Sequence, residues 1–298
     1  MKKIRIAVIG LGRLGHKCVE AISADQATEL GGIVQRKVTS SKFGRDIPVV
    51  THISELKNVD AALICVPSDA TLGVAKGLLQ CHIPIVECAR VHGEDFLRHK
   101  SEIHRVALLR KVQAIVGAGC DPGILSLFRS YFALLAPHGH TETTLHTGSS
   151  LHHTLAAEGI KGVRKALATE LKPIGGTLQR YVYVELEPSA DQAEVERLIV
   201  NDPLFLDEQT LVFPVPSIDT LEETNRGAVL ERHGKPGDVS HTSFLLEARF
   251  DEAGLAARMM VAAAQSLTTP RAGAYSLLDL PLNALWGQQG SAEEKEWI

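Results

Sequence analysis

The residues that could do chemistry begin near the N-terminus, where Gly10-Leu11-Gly12-Arg13-Leu14-Gly15 sets three glycines at the spacing G-x-G-x-x-G. In that pattern Gly10 makes a tight turn, Gly12 lets backbone N–H groups approach a diphosphate, and Gly15 lets a helix pack close on a strand. The diphosphate would rest on the unpaired N–H groups that open the helix, with Arg13 and Leu14 in its first turn. Val34-Gln35-Arg36-Lys37 follows, with Thr39, Ser40 and Ser41 behind it. Arg36 and Lys37 suit a 2′-phosphate, and no carboxylate stands there for a free ribose 2′-OH, so the expected dinucleotide is NADP.

Two further residues could grip a small polar substrate. Asp121 follows an apolar strand run and could reach a substrate ammonium, but before Pro122 it reads equally well as a helix N-cap with proline at the first helical position. Arg180 has a planar fork that matches two carboxylate oxygens. On residue chemistry alone, a surface arginine at a strand end is the plainer reading. His138, His140, His146, His152 and His153 invite a metal, yet adjacent His152 and His153 cannot both face one ion from a regular element, and no metal is expected. Cys18, Cys65, Cys81, Cys88 and Cys120 are odd in number and lack metal spacing, and they read as reduced thiols, most of them in the core.

The elements that must position these groups are legible as alternating patterns. Residues 4–9 read as a strand, followed by the glycine turn, a helix through Leu14, Cys18, Ala21 and Ile22, and a second strand over 30–34. Further strands are expected at 47–52, 60–66, 83–86 and 112–116, with helices at 68–79 and 94–110. In an open α/β sheet ligands lie outside the carboxyl ends of the strands. Cys65, Val66, Pro67 and Ser68 should therefore border the nicotinamide ribose, and Glu87 should join the same edge.

A helix at 124–135 leads into a different pattern. Period-two runs at 141–147, 180–186, 210–215 and 241–250 predict antiparallel strands with one face covered. Helices near 155–169 and 192–201 are expected on that face. Residues 254–268 are apolar nearly all round and read as a buried helix that returns to the first domain. The expected fold is α/β: a Rossmann doubly wound parallel sheet over residues 1–120, an α+β dimerisation and substrate domain with an antiparallel sheet over 121–253, and a C-terminal helix and tail over 254–298.

Composition narrows the function classes. A chain of 298 residues is too long for one Rossmann unit, and 45% hydrophobic with 22% charged residues is ordinary for a soluble globular protein. The net charge of -4 argues against a general affinity for nucleic acid. The apolar run after Met1-Lys2-Lys3 breaks at Gly10, too early for a signal peptide, and no run could span a bilayer. A cytoplasmic location is expected, with no membrane partner.

With these residues in view, the chain resembles the meso-diaminopimelate dehydrogenase family, NADP-dependent amino-acid dehydrogenases of bacterial lysine and cell-wall metabolism. The resemblance runs almost end to end, through AVIGLGRLG with GGIVQRK, LICVPS, GAGCDPG, YVYVELEPSADQAEVER with NDPLF, and GAYSLLDLP. It implies a homodimer and reversible oxidative deamination of an amino acid to a 2-oxo acid. It also implies that Asp121 contacts the reacting end of the substrate, that Arg180 holds the distal carboxylate, and that His153 matches the histidine of a GHS segment. Several pocket positions depart from the family pattern. Cys120 replaces a tryptophan, Ala89-Arg90 replaces a Y-D pair, Leu145 replaces an aromatic residue, Glu170 a threonine, and Arg226 a histidine. Arg90 reverses a charge that would meet a substrate ammonium. The alternatives are the same hydride chemistry on another carboxylate-bearing amino acid, imine or oxo acid, or an NADP-binding protein without catalysis.

Overall fold

The computed structural model describes residues 3–37, 42–43, 47–146, 151–171, 179–206, 209–219, 221, 226–234, 243–268 and 271–286. The chain divides into two compact units, Met1–Leu134 with Glu252–Ile298, and Leu135–Asp251.

The first unit is built on a sheet of β1 (Ile4–Ile9), β2 (Thr28–Val34), β3 (Lys42–Phe43), β4 (Ile47–Val50), β5 (Ala61–Ile64), β6 (Ile85–Glu87), β7 (Gln113–Ile115) and β14 (Gly273–Tyr275). Their order is β14-β7-β6-β5-β1-β2-β4-β3, with seven strands parallel and β3 antiparallel to β4. Strands covered on both faces must be apolar throughout, and Ala61, Ala62, Leu63 and Ile64 are all buried. Helices α1 (Arg13–Ala24) and α7 (Glu252–Gln265) meet one face, where Val8, Cys18, Ile22, Ala257, Met260 and Ala264 pack together. On the other face α2 (Ser68–Gln80) and α3 (Gly93–Arg110) contribute Ala75, Leu79, Ile103 and Ala107. The chain goes to β2 on one side of β1 and to β5 on the other. The crevice beyond the carboxyl ends of β1 and β5 is therefore the topological switch point where such sheets bind ligands.

Helix α4 (Ile124–Leu135) differs from expectation, because it stays with the first unit up to Leu134 rather than opening the second at residue 121. Strand β14 is a further difference. The chain that follows α7 adds a parallel edge strand beside β7, which three residues of Gly-Ala-Tyr did not announce.

The second unit carries β8 (His140–His146), α5 (Leu151–Glu158), β9 (Val163–Leu171), β10 (Gln179–Leu186), α6 (Gln192–Val200), β11 (Gln209–Pro214), β12 (Arg226–His233) and β13 (Ser243–Phe250). These make two three-stranded sheets, β11-β10-β9 and β13-β12-β8. Along β10 alternate residues turn inward, and Val182 and Val184 join Ala166, Ala168, Val195, Ile199 and Phe205 in one core. Most pairings are antiparallel, as the period-two runs predict, but β10 and β11 are parallel. The helix expected over 155–169 is corrected: it ends at Glu158, and 163–171 is strand β9. Gly162 sits at φ +95°, which a helix cannot hold, and the segment beyond it pairs with β10.

Candidate active site

At the carboxyl end of β1 the three glycines answer different demands. A Cβ on Gly10, whose φ is +93°, would lie 2.7 Å from the Cys65 carbonyl oxygen, and one on Gly15 would lie 2.1 Å from the Gly10 carbonyl oxygen. Packing alone therefore requires both. A Cβ on Gly12 would meet no protein atom within 4 Å, so no packing reason keeps it a glycine. Gly12 is the N-cap of α1, and no side chain caps that end. An uncapped helix start with open space before it is a cradle for an anion, and a diphosphate fits it. Leu14 packs into the core below, while Arg13 is exposed in the same first turn.

The neighbouring strand ends complete this edge. Arg36 and Lys37 are exposed just beyond β2, where the Gln35 N–H donates to the Val50 carbonyl at 2.9 Å. Thr39, Ser40 and Ser41 lie outside the described residues. Cys65 N–H donates to the Ile9 carbonyl at 2.8 Å, which ties the β5 end to the glycine turn. Val66 and Pro67 then lead into α2, with Pro67 as its N-cap. Ser68 Oγ accepts from the Arg90 N–H at 3.0 Å, which joins this loop to the one after β6.

Glu87 was expected on the cofactor edge, but its side chain is fully buried and occupied by protein partners. Its carboxylate accepts from Ala89 N–H at 2.5 Å and Gly117 N–H at 3.0 Å, with His99 Nε2 at 3.2 Å. It ties β6, β7 and α3 together.

Asp121 is not a helix cap, since α4 starts at Ile124. Its two carboxylate oxygens each accept from Arg129, Oδ1 from Nη1 and Oδ2 from Nη2, both at 2.7 Å. The fork fixes the carboxylate plane and leaves each oxygen a second lone pair for an incoming ammonium. Arg90 forms an ion pair with Glu252, the first residue of α7. Cys120 is buried beside both pairs, and that burial pushes its thiol up to about 12, with the Glu252 and Asp121 carboxylates adding to the effect. Cys18 and Cys65, behind the glycine turn, have sulfurs 3.5 Å apart.

In the second unit Arg180 is 1% exposed, so the surface reading of this residue is overturned. Its Nη1 donates to Glu170 Oε1 at 2.7 Å, from the directly opposite position on β9. His153 Nε2 lies 3.1 Å from the Leu204 carbonyl oxygen, and the ring stands edge-on to Phe205 at 5.1 Å. Leu145 pairs with Ala228 across β8 and β12, and Arg226 opens β12 opposite Phe250; their side chains lie outside the described residues. Among the described residues no group of three His, Cys, Asp or Glu side chains could hold a metal ion.

Arg129 and Glu252 are the site residues that sequence reasoning missed. Nothing local marks either one. Arg129 lies eight positions beyond Asp121, and Glu252 is 162 positions beyond Arg90.

Residues 4–110 match an oxidoreductase family with an NAD-binding Rossmann fold. The chain is 31% identical to meso-diaminopimelate D-dehydrogenase of Bacteroides fragilis, over 100% of this chain and 99% of that protein. It also resembles two solved structures along its whole length, each covered 100% on both sides. One is the C. glutamicum DAP dehydrogenase in complex with DAP, at TM-score 0.68 and 21% identity. The other is an engineered D-amino acid dehydrogenase bound to NADP+, at TM-score 0.64 and 20% identity. With that identity sustained from end to end on a matching fold, the chain belongs to the meso-diaminopimelate dehydrogenase family of oxidoreductases.

Proposed function

We propose that the protein is an NADP-dependent amino-acid dehydrogenase, catalysing reversible oxidative deamination of an amino acid at Cα. One observation carries this reading: a single sheet edge holds both an open glycine cradle at Gly12 and the arginine-braced carboxylate of Asp121. NADP+, when bound, would supply a hydride acceptor for Cα. Gly12 and the first turn of α1 would hold the diphosphate, and Arg36 with Lys37 the 2′-phosphate. Asp121 accepts from the substrate ammonium and so presents Cα in one orientation, and Arg129 keeps that carboxylate from rotating. Loss of the hydride from Cα together with one proton from the ammonium, released to solvent, leaves an iminium, and water then converts it to a 2-oxo acid and ammonium.

The charge reversal at Arg90 bears on the substrate less than its residue type suggests. Glu252 stands against the guanidinium, so the pair contributes little net charge where the family has a carboxylate. The natural substrate is then an amino acid held by Asp121 without help from an acidic residue at position 90.

The test is NADPH formation followed by absorbance, with meso-diaminopimelate beside a panel of D- and L-amino acids. Turnover on at least one amino acid is expected, and Asp121→Asn should lower kcat about 100-fold while NADPH still binds. Tight NADPH binding without turnover on any amino acid, imine or oxo acid would leave a cofactor-binding protein without this activity. Arg36→Asp combined with Lys37→Ala should raise the Kd for NADPH about tenfold or more and leave NADH nearly unchanged. Equal losses for both cofactors would remove the 2′-phosphate assignment.

A further inference from the structure

We propose that Glu87 is a positioning residue, whose buried carboxylate fixes the loop that presents Asp121 and ties it to the loop after β6. This rests on the amino-acid dehydrogenase reading above, in which Asp121 orients the substrate amine.

Packing alone gives no reason for an acid at this position. The rest of β6 is Ile85 and Val86, all three residues are buried, and Glu87 is 0% exposed. An apolar residue there would avoid the cost of stripping water from a carboxylate. That cost is offset by backbone partners from two different loops. Oε2 accepts from the Ala89 N–H at 2.5 Å and Oε1 from the Gly117 N–H at 3.0 Å, with His99 Nε2 at 3.2 Å from Oε1. The Glu87 carbonyl accepts from the Ala118 N–H at 2.8 Å, so one residue holds two successive N–H groups of the segment leaving β7. The β6–β7 ladder ends with Val86 opposite Ile115, and Glu87 continues the connection where the strands stop pairing.

From that anchor the chain runs directly to Asp121. Gly117 turns it at φ +65°, and Gly119 then closes a tight loop, its N–H donating to the Pro122 carbonyl at 3.2 Å and its carbonyl accepting from the Ile124 N–H at 3.0 Å. Asp121 lies within this loop. Arg129 sets the plane of its carboxylate, and Glu87 sets where the loop stands. A carboxylate is needed because both oxygens accept at once. Glutamine has the same shape but only one accepting oxygen, so one of the two backbone N–H groups would face a donor and its loop would have to shift. A shift of about 1 Å at a group that orients a reacting centre costs up to about 100-fold in rate.

The experiment uses the full-length protein and compares Glu87→Gln with wild type, and Glu87→Gln with Asp121→Asn against Asp121→Asn alone. Turnover is read with saturating NADP+ on meso-diaminopimelate and the amino-acid panel. Glu87→Gln should lower kcat about tenfold or more, change the Kd for NADPH by less than about twofold, and speed hydrogen exchange of the 117–121 amides. In the Asp121→Asn background the same substitution should change kcat by less than about twofold, because the group it positions is already lost. Where Glu87→Gln fails to fold, His99→Leu removes one donor from the same carboxylate and is read in the same way. His99→Gln, which keeps an N–H near the ring Nε2, should lose less than His99→Leu. A folded variant with wild-type kcat, equal fold-losses in the two backgrounds, or unchanged exchange at 117–121 overturns the proposal. If wild type turns over no amino acid, the reaction assigned above fails, and exchange at 117–121 alone decides whether Glu87 holds the loop.

Discussion

Gly12 and Gly15 lie three residues apart and respond to an added methyl in opposite ways. At Gly15 the new Cβ would sit 2.1 Å from the Gly10 carbonyl oxygen, backbone that cannot yield, so Gly15→Ala should destabilise by about 1–3 kcal/mol in urea unfolding. At Gly12 there is open space, so Gly12→Ala should keep its thermal midpoint and weaken NADPH about tenfold or more, read by fluorescence titration. Both midpoint and affinity unchanged at Gly12 would remove the cradle. The thiols make a second prediction of this kind. The Cys18 contact and then burial hold Cys65 up, burial lifts Cys88, and burial takes Cys120 to about 12. The folded state thus keeps protons that the unfolded chain releases near pH 8.5, and their stabilising contribution is full below that value and lost as pH rises toward the folded values. Stability should fall above about pH 9, by up to about 1.4 kcal/mol per pH unit for each such thiol, and Cys120→Ala should flatten the slope. The G-x-G-x-x-G spacing was legible because its residues lie close in the chain, and Gly15 must clear the Gly10 carbonyl five positions back. The partner of Asp121 was not, because an arginine eight residues on can face anywhere until α4 is placed.

Among the elements, the segment around residue 160 shows where local preference loses. Its alanines, leucines and charged residues favour a helix, yet the helix stops at Glu158, Gly162 stands at φ +95°, and the chain beyond it pairs with β10 as β9. That strand is what brings Glu170 opposite Arg180. Gly162→Ala would force a side chain into the left-handed region with its Cβ 3.0 Å from that of Ala190, and should cost about 1–2 kcal/mol. The check is a lower urea midpoint with an unchanged m-value. The parallel strands were easier to read, because burial on both faces demands continuous apolar runs such as Ala61–Ile64. Strand β14 was not, since three residues carry no period, and its place is granted by the open edge of β7.

For the whole molecule, no helix among the described residues is long and apolar enough to cross a membrane. The family reading implies a homodimer, and sedimentation equilibrium should return twice the 32.2 kDa chain mass. A mass of one chain across micromolar concentrations would overturn that expectation. The sequence by itself determined the Rossmann class, the glycine turn, the cations after β2 and the change to period-two strands after α4. All of these depend on residues close together in the chain, where turn sterics and side-chain periodicity act. Only the tertiary structure decided that Asp121 is braced by Arg129, that Arg90 meets Glu252, and that Arg180 is buried against Glu170. Ion pairing depends on distance in space, and strand pairing and helix docking set that distance between residues that the sequence leaves unconnected.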